Sequence, residues 1–106
     1  MTNYKNSKAW KKSMLLVKDV YQLVTNFPKK ELYVLTAQLK RAAVSIPCNI
    51  AEGVGRNDKK DTIQFLHVSK GSVYETETLL NIAVMAEIIS EKDFAPFSDK
   101  IDECLR

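Results

Sequence analysis

Residues 38–55 read QLKRAAVSIPCNIAEGVG, and this stretch decides the fold. It continues an apolar pattern with helical spacing, formed by Leu32, Leu35, Leu39, Ala42, Ala43, Ile46 and Ile50. Between residues 32 and 52 only Lys40, Arg41 and Glu52 are charged. A helix with so few charges has no broad surface suited to water. We therefore expect both of its flanks to be covered, and in a chain of 106 residues we expect that cover to include another subunit.

The flank opposite this apolar pattern carries small or hydrogen-bonding side chains. We interpret them as hydrogen-bonding groups inside the bundle or between protomers, and the alternative is a ligand site or a pore lining. An Arg41–Glu75 pair is within reach in one chain, and either residue has the alternative of a partner on another protomer. The structural and interface candidates are Gln38, Arg41, Ser45, Pro47, Asn49, Glu52, Gly71, Ser72 and Glu75.

Four helices are predicted, at about 7–25, 30–52, 58–89 and 91–105, in a single domain spanning 1–106. No segment alternates as a strand does, so the predicted fold class is all-α. Short connections favour an up-down-up-down antiparallel four-helix bundle. Pro47 predicts a kink in the second helix, and Gly53 with Gly55 predicts a left-handed stop. Gly71, in the middle of the third helix, predicts the close approach of another helix.

Several classes of function find no support in the sequence. Two cysteines and one histidine form no metal-binding pattern, and no nucleophile, base and orienting acid can be assembled, so we predict neither an enzyme nor a cofactor. We expect Cys48 to be a small buried apolar side chain and His67 to be structural or exposed. No apolar run reaches the roughly 20 residues that span a bilayer, and the N-terminus has no secretory pattern. The predicted compartment is the cytoplasm.

Charge is unevenly distributed along the chain. Residues 1–70 carry a net charge of +8 and residues 71–106 carry −5. Such asymmetry indicates a polyanionic partner, and the alternative is that the basic first helix pairs with the acidic fourth helix, inside one chain or across subunits. We expect Trp10 to pack in the core, although Tyr4 and Trp10 are also residue types that stack on bases. The candidate nucleic-acid-binding residues are Lys8, Lys11, Lys12, Lys18, Arg56, Lys59 and Lys60.

Three blocks of sequence carry a family resemblance. They comprise Phe27-Pro28 with Glu31, Leu32, Tyr33 and Leu35; then residues 38–47 and 49–53; then Arg56, Phe65-Leu66, Gly71-Ser72, Glu75, Glu77 and Ala83. The chain resembles the four-helix-bundle proteins encoded in intervening sequences of bacterial 23S ribosomal RNA genes. A related branch is the accessory protein of diversity-generating retroelements, which is basic and works with reverse transcriptase and nucleic acid. The resemblance implies a homopentameric ring without a catalytic site.

Two functions remain open from the sequence. The first is a homo-oligomeric, non-enzymatic scaffold that binds RNA or DNA through its basic residues. The second is an adaptor that binds a protein partner and makes no contact with nucleic acid. In the second case recognition is expected to use the acidic patch of Asp93, Asp99, Asp102 and Glu103.

Overall fold

The computed structural model describes residues 3–105. Within this range the chain is helical and contains no strand. The four α-helices are α1 (Lys8–Val24), α2 (Ala37–Val54), α3 (Lys59–Met85) and α4 (Glu91–Leu105). Helices α1 and α3 each pack against both α2 and α4. The all-α prediction is confirmed, and the arrangement is consistent with a four-helix bundle.

The contact between α2 and α3 contains a row of hydroxyl groups. The Ser45 and Ser72 hydroxyls lie 2.8 Å apart in a hydrogen bond, and the Ser69 hydroxyl donates to the Ile46 carbonyl at 3.0 Å. Further along, the Thr62 hydroxyl donates to the carbonyl of Gly53 at 2.8 Å. Residue numbers on α3 fall as those on α2 rise, so these two helices run antiparallel.

The start of the second predicted helix differs from the expectation. Instead of one α-helix from residue 30, the chain forms a 3₁₀ turn (Lys29–Glu31), a π-helix (Leu32–Thr36) and only then α2. The wider π turn changes the angular spacing of side chains. Leu35 is buried as predicted, but Leu32 is 48 % exposed and Tyr33 is 88 % exposed. The prediction that Leu32 joins the buried row is therefore wrong.

The predicted roles of the glycines are also corrected. α2 continues through Gly53 to Val54, and its cap, Gly55, has a φ of −78°, so no left-handed stop forms there. Gly53 is instead a point of close approach, because a Cβ on it would lie 3.1 Å from the Phe65 Cβ and 3.3 Å from the Thr62 carbonyl oxygen. Gly71 has no atom within 4 Å of such a position. The close approach within the chain occurs at Gly53 and not at Gly71.

The connection between α3 and α4 is well defined by local hydrogen bonds. The Ile88 N–H donates to the Ala83 carbonyl and the Glu87 N–H donates to the Val84 carbonyl, both at 2.9 Å. This is a Schellman ending in which Glu87, with a φ of 61°, occupies the position that usually favours glycine. The third helix consequently ends before the predicted residue 89.

Ser90 caps α4, which begins at Glu91, the residue predicted. Its hydroxyl accepts a hydrogen bond from the Asp93 N–H, and the Asp93 carboxylate accepts one from the Ser90 N–H, both at 3.0 Å. The two residues thus form a capping box.

The core lies where the four helices meet. Its fully buried side chains include Leu16, Val20, Leu39, Ile46, Val73, Leu80 and Ile101. Pro47 is buried within α2, whose helical hydrogen-bonding pattern continues on both sides of it. The kink at Pro47 remains a prediction.

Candidate nucleic-acid and subunit interfaces

The basic α1 surface consists of Lys8, Lys11, Lys12 and Lys18. Helix spacing places these four side chains on the side of α1 away from the core, and all except the half-buried Lys12 are exposed. Within residues 3–105 the ion pairs are Glu52–Arg56 and Asp19–Lys100. None of the four lysines therefore pairs with an acid of α4. The interpretation that α4 neutralises α1 inside one chain is not supported.

A second basic cluster, the turn cluster, consists of Arg56, Lys59 and Lys60. The Arg56 guanidinium pairs with Glu52 at 3.0 Å and its Cζ lies 4.7 Å from the centre of the Phe65 ring. Lys59 and Lys60 are exposed in the first turn of α3, where the Asp58 carboxylate caps the Lys60 N–H at 2.9 Å. Arg56 is thus held against the protein, whereas the two lysines face solvent.

The fold brings the two basic clusters to the same end of the bundle. Ala9, beside Lys8, lines a common cavity with Ile50 and Leu66. The start of α1, the end of α2 and the start of α3 are therefore neighbours. The sequence places these clusters at least 38 residues apart.

The polar flank of α2 is divided between internal bonds and exposed groups. Asn49 donates to both the carbonyl and the hydroxyl of Ser45, at 2.8 and 2.9 Å, and Ser45 bonds Ser72. Gln38, Arg41, Glu52 and Glu75 are exposed. Within residues 3–105 no ion pair joins Arg41 to Glu75, so the predicted pair does not form inside one chain.

An exposed apolar surface on α3 was not anticipated from the sequence. This apolar α3 surface has exposed fractions of 39–77 % at Ile63, Val68, Tyr74, Ile82 and Met85. Gly71 lies in its middle with open space above it. The available signal was that apolar residues of α3 occur on nearly every side of the helix, which is typical of a helix covered from more than one direction.

An apolar groove separates α1 from α2. This α1–α2 groove has a volume of about 380 Å³, and residues lining it include Tyr4, Trp10, Met14, Val44, Pro47 and Cys48. Trp10 is half-buried against the core and its ring meets the Tyr4 ring edge-on, with centroids 5.3 Å apart. Cys48 is exposed, so the prediction of a buried cysteine is wrong.

The described chain has one further cysteine, Cys104, and one histidine, His67. Burial raises the pKa of the Cys104 thiol, with Glu103 adding to the rise and Lys12 opposing it. His67 is exposed, which agrees with the prediction that this histidine is either structural or exposed. Among residues 3–105, no three metal-binding side chains lie together. No helix in that range has the length and hydropathy needed to cross a membrane.

Comparison with known proteins agrees with this fold. A family model described as 23S rRNA-intervening sequence protein matches residues 5–106. The chain belongs to this family. A crystal structure from Bacteroides thetaiotaomicron, of a protein with unknown function from the S23 ribosomal protein family, has a TM-score of 0.81 at 22 % identity. The alignment covers 92 % of this chain and 91 % of that one, which shows a shared fold. The comparison with curated proteins finds no match.

The predicted family resemblance is therefore confirmed. Neither the family description nor the description of the solved structure names an enzyme activity.

Proposed function

We propose that this member of the 23S rRNA-intervening sequence protein family is a non-enzymatic, cytoplasmic homo-oligomer that binds RNA or DNA. In this proposal five up-down-up-down protomers form a closed ring. The basic α1 surface supplies the phosphate contacts, with the turn cluster extending it. The observation that carries the proposal is that the α1 lysines form no ion pair within residues 3–105.

Self-association is supported by the surface area of the protomer. The chain exposes 7085 Å², whereas a monomer of this mass typically exposes about 6,000 Å². Its radius of gyration is 14.3 Å, against about 13 Å for a compact chain of this length. The excess area is comparable with the roughly 800 Å² that each partner contributes to a standard interface.

The exposed apolar residues of α3 and the exposed polar residues of α2 form the surface that a second copy would cover in this proposal. The apolar α3 surface and the exposed polar residues of α2 belong to two helices that pack against each other, and the open space at Gly71 admits close approach of another helix. Arg41 and Glu75, which lack an ion pair with each other in one chain, provide opposite charges for contacts across the ring. A substitution of Tyr74 to Glu is expected to weaken association, while Ala95→Glu on the exposed surface of α4 is its matched control.

Nucleic-acid binding follows from repeating the basic surface around a ring. Lysine side chains that bind phosphates displace the counterions condensed on the nucleic acid. The affinity therefore falls steeply with salt concentration and depends little on sequence. A ring multiplies the four lysines of each protomer into a continuous band of positive potential. Base-specific recognition is not part of the proposal.

The binding proposal can be tested by titrating mixed-sequence RNA at two salt concentrations. We expect binding that weakens steeply with salt, and a large loss of affinity when the exposed Lys8, Lys11 and Lys18 are changed to Glu. The matched control changes the exposed Lys29, Lys30 and Lys92 to Glu, which alters the net charge equally on other parts of the protein. No binding at low salt, or equal losses in both triple variants, would refute the proposal.

The adaptor function is a second candidate, favoured by the exposure of the acids on α4. Asp93, Asp99, Asp102 and Glu103 are all exposed, and none has an ion-pair partner within residues 3–105. A basic protein partner would complement this patch. Recovery of a partner after complete nuclease digestion, and its loss when Asp99 and Asp102 are changed to Asn, would favour this function.

A further inference from the structure

The α1–α2 groove combines three properties. It is almost entirely apolar, it is open to solvent, and an edge-on pair of aromatic rings, Tyr4 and Trp10, stands in its wall. Its volume of about 380 Å³ falls within the usual range for small-ligand sites. An aromatic-lined apolar slot of this size suits a flat, uncharged ring.

Positive charge flanks the groove on both walls. Met14 lines the groove from α1. Lys11 lies three residues before it and Lys18 four residues after it, so both lysines are its neighbours on the helix surface. On α2, Lys40 precedes the groove residue Val44 by one turn, and its ammonium lies 5.0 Å from the centre of the Tyr21 ring. The groove thus presents cations beside a surface that is itself apolar.

The acids nearest to the groove do not cancel this charge. Glu52 lies four residues beyond Cys48 on α2, and its carboxylate is paired with Arg56. Asp19, beside Lys18 on α1, is paired with Lys100 of α4. An occupant that enters the groove therefore meets an apolar floor and a positive rim.

We infer that the α1–α2 groove takes an unpaired base of single-stranded nucleic acid, while Lys11, Lys18 and Lys40 contact the adjoining phosphates. Every base has an apolar ring face that stacks on aromatic side chains, and single-strand binding sites combine such platforms with a cationic track. A duplex keeps its bases stacked and paired, so none of its base faces is free to enter the groove. This inference rests on the proposed nucleic-acid-binding function and specifies the form of the ligand.

Trp10 is the one tryptophan of the chain, so its fluorescence reports directly on the groove. The test titrates the protein at low salt with three ligands of equal length: oligouridylate, an abasic oligonucleotide and a mixed-sequence duplex. We expect oligouridylate to quench Trp10 emission and to bind about tenfold more tightly than the abasic strand, the factor that stacking of one base on an aromatic ring provides. The abasic strand and the duplex are expected to bind with steep salt dependence and to leave the emission unchanged.

The outcomes separate this inference from the proposed function. If all three ligands bind with similar affinity and Trp10 does not respond, the groove is not a base site, although binding through the lysines stands. If none of the three binds, the proposed function fails and the groove assignment fails with it.

A substitution in the groove provides a second test. Cys48→Glu places a carboxylate on an exposed position of the groove and should lower the affinity for oligouridylate about tenfold more than Ala95→Glu does. Should Cys48→Glu fail to fold, alkylation of Cys48 by iodoacetamide in the unmodified protein gives the answer. Oligouridylate should slow that alkylation and the abasic strand should not, whereas equal rates with both would overturn the inference.

Discussion

The Lys100 ammonium of α4 donates a hydrogen bond to the Asp19 carboxylate of α1. The basic member of this pair belongs to the acidic helix, and the acidic member belongs to the basic helix. The pair therefore removes one negative charge from α1 and leaves its lysines without an acidic partner on α4 in the described chain. A simple sum of charges along the sequence suggests the opposite arrangement.

This ion pair is expected to contribute little to stability. Its side chains are 40 % and 23 % exposed for Lys100 and Asp19, so water screens their attraction. A double-mutant cycle with Asp19→Asn and Lys100→Gln, measured by urea unfolding, should give a coupling free energy below about 1 kcal/mol. Lys92→Gln on the same helix is the control, and a coupling above about 2 kcal/mol would show that the pair is effectively buried.

Gly53→Ala is expected to destabilise the protein. The new methyl group would lie 3.1 Å from the Phe65 Cβ and 3.3 Å from a carbonyl oxygen, so α2 and α3 must separate slightly. Overpacking of this kind costs about 1–3 kcal/mol. Because both contacts are with atoms fixed to the backbone, a Cβ and a carbonyl oxygen, we expect a cost in the upper part of that range, above the gain of about 1 kcal/mol from replacing a helical glycine. Urea unfolding of the variant measures the net loss, and an increase in the free energy of unfolding would contradict the described contact.

The control for this prediction is Gly55→Ala. A Cβ at Gly55 would lie at ordinary contact distance from the carbonyl oxygens of Ala51 and Glu52, 3.5 and 3.7 Å, and the residue already has an α-helical conformation. Its substitution should leave stability unchanged or slightly raised.

Much of the fold could be predicted from the sequence because the apolar spacing is strong. The buried row from Leu35 to Ile50 and the start of α4 after Ser90 follow from periodicity and capping alone. The π turn at Leu32–Thr36 could not be predicted, since its residues fit an α-helical period equally well. The distinction between Gly53 and Gly71 depends on which glycine faces a neighbouring helix, and that is a property of tertiary packing.

Ser90→Ala tests the capping box at the start of α4. Loss of the hydroxyl leaves the Asp93 N–H without its partner, and the expected cost is about 1 kcal/mol. Thermal or urea unfolding at neutral pH measures this loss, with Ser98→Ala, inside the same helix, as the control. Equal stability of Ser90→Ala and the unmodified protein would show that the cap contributes nothing.

The same capping box predicts a dependence on pH. The Ser90 N–H, and after it the Ser90 hydroxyl, lower the pKa of the Asp93 carboxyl below its ordinary value. The stabilisation is therefore fully present above about pH 4, the range of an unperturbed aspartate, and is lost as the pH falls through the lower pKa of the folded protein. An NMR titration should show the Asp93 pKa shifted upward in Ser90→Ala, and an unchanged value would contradict this account.

Glu87→Gly is expected to stabilise the end of α3. Glu87 has a φ of 61°, a left-handed conformation that costs a residue with a Cβ about 1–2 kcal/mol. Glycine adopts it readily, and the gain is reduced by its larger entropy in the unfolded chain, so we expect a net gain of up to about 1 kcal/mol. Glu87→Ala retains the Cβ and serves as the control, and an equal gain in both variants would assign the effect to the lost charge.

The candidate sites were less predictable than the fold. The lysines of α1 are visible in the sequence because they recur on one side of a helix. That the turn cluster lies at the same end as Lys8 requires the helix packing, since the two clusters are distant along the chain. The α1–α2 groove is formed by side chains from two helices and from a 3₁₀ turn that precedes α1 (Tyr4–Asn6), so no single stretch of sequence displays it.

The central claim is that copies of this chain cover the apolar α3 surface and the exposed flank of α2. Sedimentation equilibrium of nuclease-treated protein at micromolar concentration tests it most directly. We expect one species with five times the 12.0 kDa mass of the chain, and a smaller mass for Tyr74→Glu but not for Ala95→Glu. A single well-folded species of 12.0 kDa would contradict the account.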